Sequence, residues 1–360
     1  MDKGEFPKLQ SYHVIFLVQN IMAGEGILAL PHLMSGVGYN EWWVPFILGI
    51  IAQLTLFPMY WLCIRYPQKN LFEISEILLG KVLGKAFNLL FVLYAVFSIS
   101  SICQSYIRLV QSVTLTEETI TFPLLCLFAV MVYIAMGGIK SVARFCILAF
   151  FFTAWMIVYL KWGFTKGEIS HIFPLVTTTF PKLIKAVDNS YATMFGYELL
   201  LVFFPYIVNQ RKALKHASIG LWINVLIYVL VTFSSVMYFS EWQLRQLIYP
   251  VLNLYKAVEL SFLERIENFG ITLWVFLILS TAAAYLWMAK KGVDSVISKK
   301  RTWHLFLCAI VSYETIIALT STKIESAVYD KWSVLAGYVM ILYPILLLGV
   351  HALRRHRVQS

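Results

Sequence analysis

Charge is what this sequence has least of. Only 13% of its 360 residues are Asp, Glu, Lys or Arg, about half the share of a soluble domain, and that scarcity excludes a chain with water on all sides. Cysteine is sparse and unpatterned: Cys63, Cys103, Cys126, Cys146 and Cys308 lie in or beside apolar segments with no Cys-x-x-Cys pair. That leaves no disulfide framework and no thiolate metal site, and the five read as small buried hydrophobes. No stretch alternates apolar and polar residues with period 2, which excludes a membrane β-barrel. A nucleophile–base pair, a metal-ligand spacing and a phosphate-cradling loop are all missing, so no catalytic residue, cofactor or metal is expected. Gly24-x-Gly26-x-x-Ala29 has the letters of a dinucleotide fingerprint, but no strand precedes it and no βαβ unit surrounds it. The first apolar block, from Tyr12, reaches no small-x-small cleavage site, so no cleavable signal is expected.

What is present is apolar: 60% hydrophobic residues and a mean hydropathy of +0.74. They arrive in blocks of about 20, long enough to cross a hydrocarbon core as helix. The expectation is an all-α polytopic membrane protein of about ten transmembrane helices. The blocks fall near 12–37, 43–64, 86–115, 120–137, 145–163, 186–208, 216–240, 268–290, 303–322 and 332–353. The net charge of +10 points to a lipid bilayer rather than to nucleic acid, because the basic residues occupy short connections between blocks. With a cytoplasmic N-terminus, 19 of the 29 Lys and Arg lie inside, nine outside and Arg108 within a helix, as the positive-inside rule requires. Both termini are then cytoplasmic. Trp42, Trp43, Trp242 and Trp332 fall at span ends, where an aromatic belt sits. Of the two long outer connections, 164–185 and 241–267, the second carries Leu252, Tyr255, Val258, Leu260 and Leu263 between charges. It reads as an amphipathic helix on the outer interface or plugging an outer vestibule.

Two spans are interrupted. Span one contains Gly24-Glu25-Gly26-Ile27 followed by Pro31, and span six contains Phe195-Gly196-Tyr197-Glu198 followed by Pro205. A mid-membrane carboxylate is costly and glycine permits unusual backbone. Glycine alone would be ordinary close packing; a Gly–Glu pair in both spans points to a ligand site. Unwound backbone is tolerated at that depth only where it is buried in protein or lines a cavity, and breaks in corresponding places of two halves mark an inverted-repeat transporter site. The expected organisation is one transmembrane domain, 1–360, with a first repeat at 12–163 and a second at 186–353. N–H groups freed after each break suit a carboxylate, and carbonyls freed before it suit an ammonium or a cation.

The stretch from Gly24 to Pro31 resembles the opening motif of spore germination receptor B subunits. So do Phe195-Gly196-Tyr197-Glu198 with Phe203-Phe204-Pro205-Tyr206, and Phe262-Leu263-Glu264-Arg265-Ile266-Glu267 before span eight. The resemblance covers essentially the whole chain. It implies a branch of the amino acid–polyamine–organocation superfamily with a five-plus-five inverted-repeat fold. It further implies residence in the spore inner membrane beside an A subunit and a C-subunit lipoprotein, and sensing of a nutrient such as an amino acid.

On that basis the ligand pocket is expected between Gly24–Ile27 and Phe195–Glu198, closed by Tyr106 of span three, with Gln104 as a second wall residue. Arg108 either pairs with Glu25, Glu198 or a ligand carboxylate, or extends to the outer interface. Glu314 reads as a hydrogen bond to a neighbouring helix, and His32 as lying at the outer end of span one. In sodium-coupled relatives, hydroxyls on span eight join span-one carbonyls, and Ser280-Thr281 falls there. The span-five lysine of some proton-coupled relatives has no counterpart between Arg144 and Lys161. A secondary amino-acid transporter coupled to sodium or protons is the alternative.

Overall fold

A long apolar run in a hydrocarbon layer satisfies its backbone by bonding within itself as helix, and this chain is helical nearly throughout. The computed structural model describes residues 8–24, 26–113, 119–259, 266–319 and 322–359. Among these, six helical runs are long and apolar enough to span a membrane: Gly26–Arg65, Lys81–Val113, Gly138–Lys166, Gln210–Tyr238, Ile266–Val296 and Lys323–Arg354. With the shorter Ser11–Met22, Thr121–Met136, Tyr197–Tyr206 and Trp303–Ala318 they fill the predicted blocks. The first run joins the second half of span one to span two. It turns at Gly38, whose φ of 63° favours glycine.

Spans three and eight, Lys81–Val113 and Ile266–Val296, are the long central helices. Ala282, Ala283 and Ala284 are fully buried, and such small side chains let neighbouring helices approach. At one end of the bundle the backbone of Leu9 pairs with span six, its N–H donating to Tyr206 O at 2.7 Å and its carbonyl accepting from Val208 N–H at 3.0 Å. At the same end the Tyr66 hydroxyl meets His351 Nδ1 at 2.7 Å and Lys85 Nζ donates to Val296 O at 2.9 Å. The N-terminal segment and the last span thus share the end rich in Lys and Arg. At the opposite end Asn40 Oδ1 accepts from the Thr177 and Thr178 N–H groups at 2.7 and 2.8 Å.

Two connections differ from the sequence reading: one holds a helix it did not name, and the other holds two short helices where it expected one. Leu71–Leu79 is a helix, started by a reciprocal cap in which Asn70 accepts from Glu73 N–H and Glu73 accepts from Asn70 N–H. The outer segment forms two short helices, Glu241–Gln246 and Pro250–Tyr255, rather than one, because Pro250 begins a new helix and cannot continue an old one. Val251, Leu252, Leu254 and Tyr255 are buried, so the segment lies on the bundle by its apolar side. Phe262–Arg265 of the family motif, with Leu260, falls outside the described residues.

Candidate functional site

Both interruptions are real. Span one is helical to Met22, turns through Ala23 (φ −80°, ψ 52°), and resumes at Gly26; Gly24 N–H bonds only two residues back, to Met22 O at 2.9 Å. Glu25 lies outside the described residues. Span six is helical from Phe180 to Tyr191 and tightens through Ala192–Met194. It opens at Phe195 (ψ 149°) and Gly196 (φ 126°), then resumes at Tyr197.

The breaks lie against each other. A Cβ on Gly196 would stand 2.8 Å from the Ile21 carbonyl carbon, and one on Gly26 would stand 2.9 Å from Thr193 Cγ2. Gly24 is different: its nearest neighbour to such a Cβ is Thr281 Oγ1 at 4.0 Å. The Tyr228 hydroxyl of span seven lies 2.9 Å from both Met22 O and Thr193 O, its one proton shared between a freed carbonyl of each break.

Glu198 is fully buried and enclosed by donors. Its Oε1 accepts from the Tyr94 and Tyr285 hydroxyls, each at 2.8 Å, and its Oε2 accepts from Gly196 N–H at 2.6 Å. Three donors make the buried carboxylate tolerable. They also mean that Glu198 caps the span-six break from within while tying it to spans three and eight. Tyr197 points the other way, its hydroxyl 2.6 Å from Thr55 Oγ1 and 2.9 Å from the Tyr191 hydroxyl. Phe195 packs edge-on to Tyr338 of the last span, ring centroids 5.5 Å apart, and presses on Gly337.

Other expected site residues divide. Thr281 is at the breaks: its Oγ1 lies 3.2 Å from Asn20 O, 3.4 Å from Ile21 O and 3.0 Å from its own Leu277 O. Ser280 bonds back to Leu277 O at 2.8 Å. Tyr106 is buried, its hydroxyl donating to Ile271 O of span eight at 3.1 Å. Gln104 is buried with Oε1 unpaired among the described residues. Arg108 is not at the breaks. Its guanidinium makes a two-pronged pair with Glu325, at 2.5 and 2.8 Å, at the end of span three away from Lys81 and Lys85. Glu314 is exposed on span nine, with no hydrogen bond to a neighbouring helix among the described residues. His32 Nδ1 lies 3.2 Å from Leu244 O of the outer segment, as its place in span one suggests.

Asn20 is a candidate residue at the break that the sequence reading did not name. It is fully buried one turn before the break, its Nδ2 donates to Gln19 Oε1 at 2.7 Å, and its Oδ1 has no partner among the described residues. A cavity of about 40 Å³ adjoins the break, bordered by Ala23, Ile27, Thr153, Trp274 and Leu277. That holds a water or two, not an amino acid. At the break the arrangement offers an ammonium the unpaired Asn20 Oδ1, beside carbonyls already holding the Thr281 and Tyr228 hydroxyls, while the donors around Glu198 are spent on it.

Two broken helices packed break to break define a transporter-type membrane fold, and solved structures share it. MhsT in complex with L-phenylalanine superposes with a TM-score of 0.65 at 12% identity, over 94% of this chain and 90% of that one. A Na⁺-coupled sialic acid symporter in a substrate-bound, outward-open state gives 0.70 at 14%, over 94% and 78%. Within that class the chain belongs to the spore germination protein family, which it matches over residues 8–325. Spore germination protein GerQB of Bacillus cereus is 23% identical, over 93% of this chain and 92% of its own. Spore germination protein A2 of Bacillus subtilis (strain 168) is 23% identical over 97% and 96%, and GerLB of B. cereus 25% over 97% and 95%.

Proposed function

We propose that this chain is the transporter-like B subunit of a spore nutrient receptor, binding a small amino-acid-like molecule between the breaks of spans one and six. The observation that carries the reading is the juxtaposition itself: Gly196 against the Ile21 backbone, and Tyr228 holding one carbonyl from each break. Family membership and the amino-acid complex of MhsT support the ligand class. The ammonium would go to Asn20 Oδ1 and the span-one carbonyls, and the carboxylate to N–H groups at the start of the second half of span one. Gly196 N–H is less suited to it, since Glu198 occupies that donor. The cavity beside the span-one break has room for only a water or two, so binding would widen it, and the widening is the signal. The two repeats, 12–163 and 186–353, are the bodies that would rock. An A subunit and a C-subunit lipoprotein in the spore inner membrane would receive the change, with both termini of this chain in the cytoplasm.

The test is to present spores carrying this chain as their sole B subunit with single nutrients. Germination with one or a few amino acids, lost on Asn20→Leu at unchanged membrane abundance, is expected. Spores that respond to no nutrient beyond those a matched receptor-less strain also answers would remove the reading.

A second reading is favoured by Thr281, whose hydroxyl lies among the carbonyls of Asn20, Ile21 and Leu277. Such a convergence of oxygens suits a sodium ion, with Ser280 one residue away, and would belong to a coupled secondary transporter. A Thr281→Val variant whose ligand response loses sodium dependence would favour it.

A further inference from the structure

At the basic end of the bundle a cleft of about 460 Å³ opens between the helix Leu71–Leu79, Pro205 and Tyr206 at the end of span six, and the end of span eight from Lys291 to Lys300. Its carboxylates are engaged. Glu73 accepts from Asn70 N–H at 3.1 Å and lies 3.8 Å from Lys69 Nζ. Glu76 accepts from Ser295 Oγ and from Asn88 Nδ2. Asp294 holds Lys290 Nζ at 2.6 Å and His304 Nδ1 at 2.7 Å. Its remaining lysines are not. Lys291 is half-buried with its ammonium 5.3 Å from the centre of the Tyr206 ring and 5.5 Å from that of Trp287. Neither Lys291, Lys81 nor Lys300 has a carboxylate within 4.0 Å among the described residues.

Aromatic faces orient an ammonium but do not neutralise it. Asp294 and Glu73 act on Lys291 only from beyond 4 Å while bonding other partners, so part of the cost of desolvating its ammonium is left for an anion in the cleft to remove. Lysine binds phosphate as a point charge, and the cleft has the volume of a small-molecule site. We propose that this cleft binds a phosphate-bearing anion, with Lys291 at its centre and Lys81 and Lys300 on its rim. The group would come from a soluble phosphate ester or from the headgroup of an anionic phospholipid. Because the walls belong to three elements, occupancy would tie the half of span six beyond its break to the Leu71–Leu79 helix and hold that end of the bundle shut. The site is separate from the breaks, so its failure leaves the ligand reading untouched.

The test is thermal unfolding of the purified full chain in two arms. The soluble arm adds inorganic phosphate or glycerol phosphate to detergent-solubilised protein, against chloride at equal ionic strength. The lipid arm compares phosphatidylglycerol with phosphatidylcholine nanodiscs. In at least one arm the midpoint should rise by about 3 °C, and the arm that responds names the source. Lys291→Gln should abolish the shift, and Lys256→Gln, at the opposite end, should keep it. Should Lys291→Gln fail to fold, the exposed pair Lys81→Gln with Lys300→Gln should weaken the apparent affinity at least threefold. No shift in either arm, or an equal shift in all variants, would overturn the proposal.

Discussion

Gly24, Gly26 and Gly196 look alike in the sequence and differ in what surrounds them. Gly196 combines a φ of 126° with a Cβ position 2.8 Å from the Ile21 backbone. Gly196→Ala should therefore cost about 3 kcal/mol, from strain and overpacking together, and should deplete the folded protein in membranes. Gly24 has 4.0 Å of clearance, so Gly24→Ala should keep both abundance and nutrient response. Equal loss from both substitutions, by immunoblot and germination assay, would show that the packing of the breaks is not what distinguishes them. Glu198 makes a second prediction. In Glu198→Gln the amide oxygen can still accept from Tyr94 and Tyr285, but its NH₂ then faces Gly196 N–H, leaving two donors opposed. The expected cost is about 2 kcal/mol, larger than for Tyr285→Phe, which removes one of three donors. A Tyr285→Phe variant less stable than Glu198→Gln in thermal unfolding would argue that the tyrosines, not the carboxylate, organise the break. The Gly–Glu pairs themselves are legible because an acid in an apolar run has few ordinary explanations. Tyr94, Tyr228 and Tyr285 are not, because a tyrosine in an apolar helix reads the same whether it lines a core or caps a carboxylate. Asn20 hides for a related reason: its side chain matters only through where the break leaves it.

At the scale of elements, the spans are legible from hydropathy and the connections are not. The Leu71–Leu79 helix could have been found from Asn70-Leu71-Phe72-Glu73, since an Asx–x–x–Glu box starts helices, yet a loop between two spans invites no such search. The partner of Arg108 was hidden for a different reason. Glu325 sits in a connection read as loop, in the short helix Thr322–Ser326 that leads into a π-helical stretch, Ala327–Ser333, at the head of span ten. A π stretch often marks a place where a helix is built to adjust, and span ten carries Gly337 and Tyr338 against Phe195. The Arg108–Glu325 pair thus fastens span three to the segment that feeds the span-six break. With the Arg108 side chain 49% exposed, the pair is worth only about 0.5–1 kcal/mol, a scale at which it biases an opening without preventing it. Arg108→Glu should increase labelling of a cysteine placed at Tyr338 by a membrane-impermeant maleimide, and the swap with Glu325→Arg should bring it back. Labelling that the swap leaves elevated would place the effect elsewhere than in the pair.

For the whole molecule, the fold is shared with MhsT and with a Na⁺-coupled sialic acid symporter, while the family is named for germination; fold alone does not choose between sensing and transport. A sensor needs only that its ligand bind one state of the bundle better than another; about 1.4 kcal/mol of differential affinity gives a tenfold swing. A coupled transporter needs an ion to link flux to a gradient. Reconstituted alone in vesicles, the chain should show little sodium- or proton-driven accumulation of any amino acid that triggers germination. Robust sodium-driven accumulation would favour the Thr281 sodium reading, and robust proton-driven accumulation a proton-coupled transporter. The claim beneath both activities is that the ligand sits between the breaks, and photo-crosslinking tests it most directly. A diazirine analogue of a triggering amino acid, applied to membranes containing the receptor, should label peptides spanning 19–34 and 190–199, and the unmodified nutrient should compete that labelling away. Competed labelling confined to peptides outside spans one and six would contradict the account.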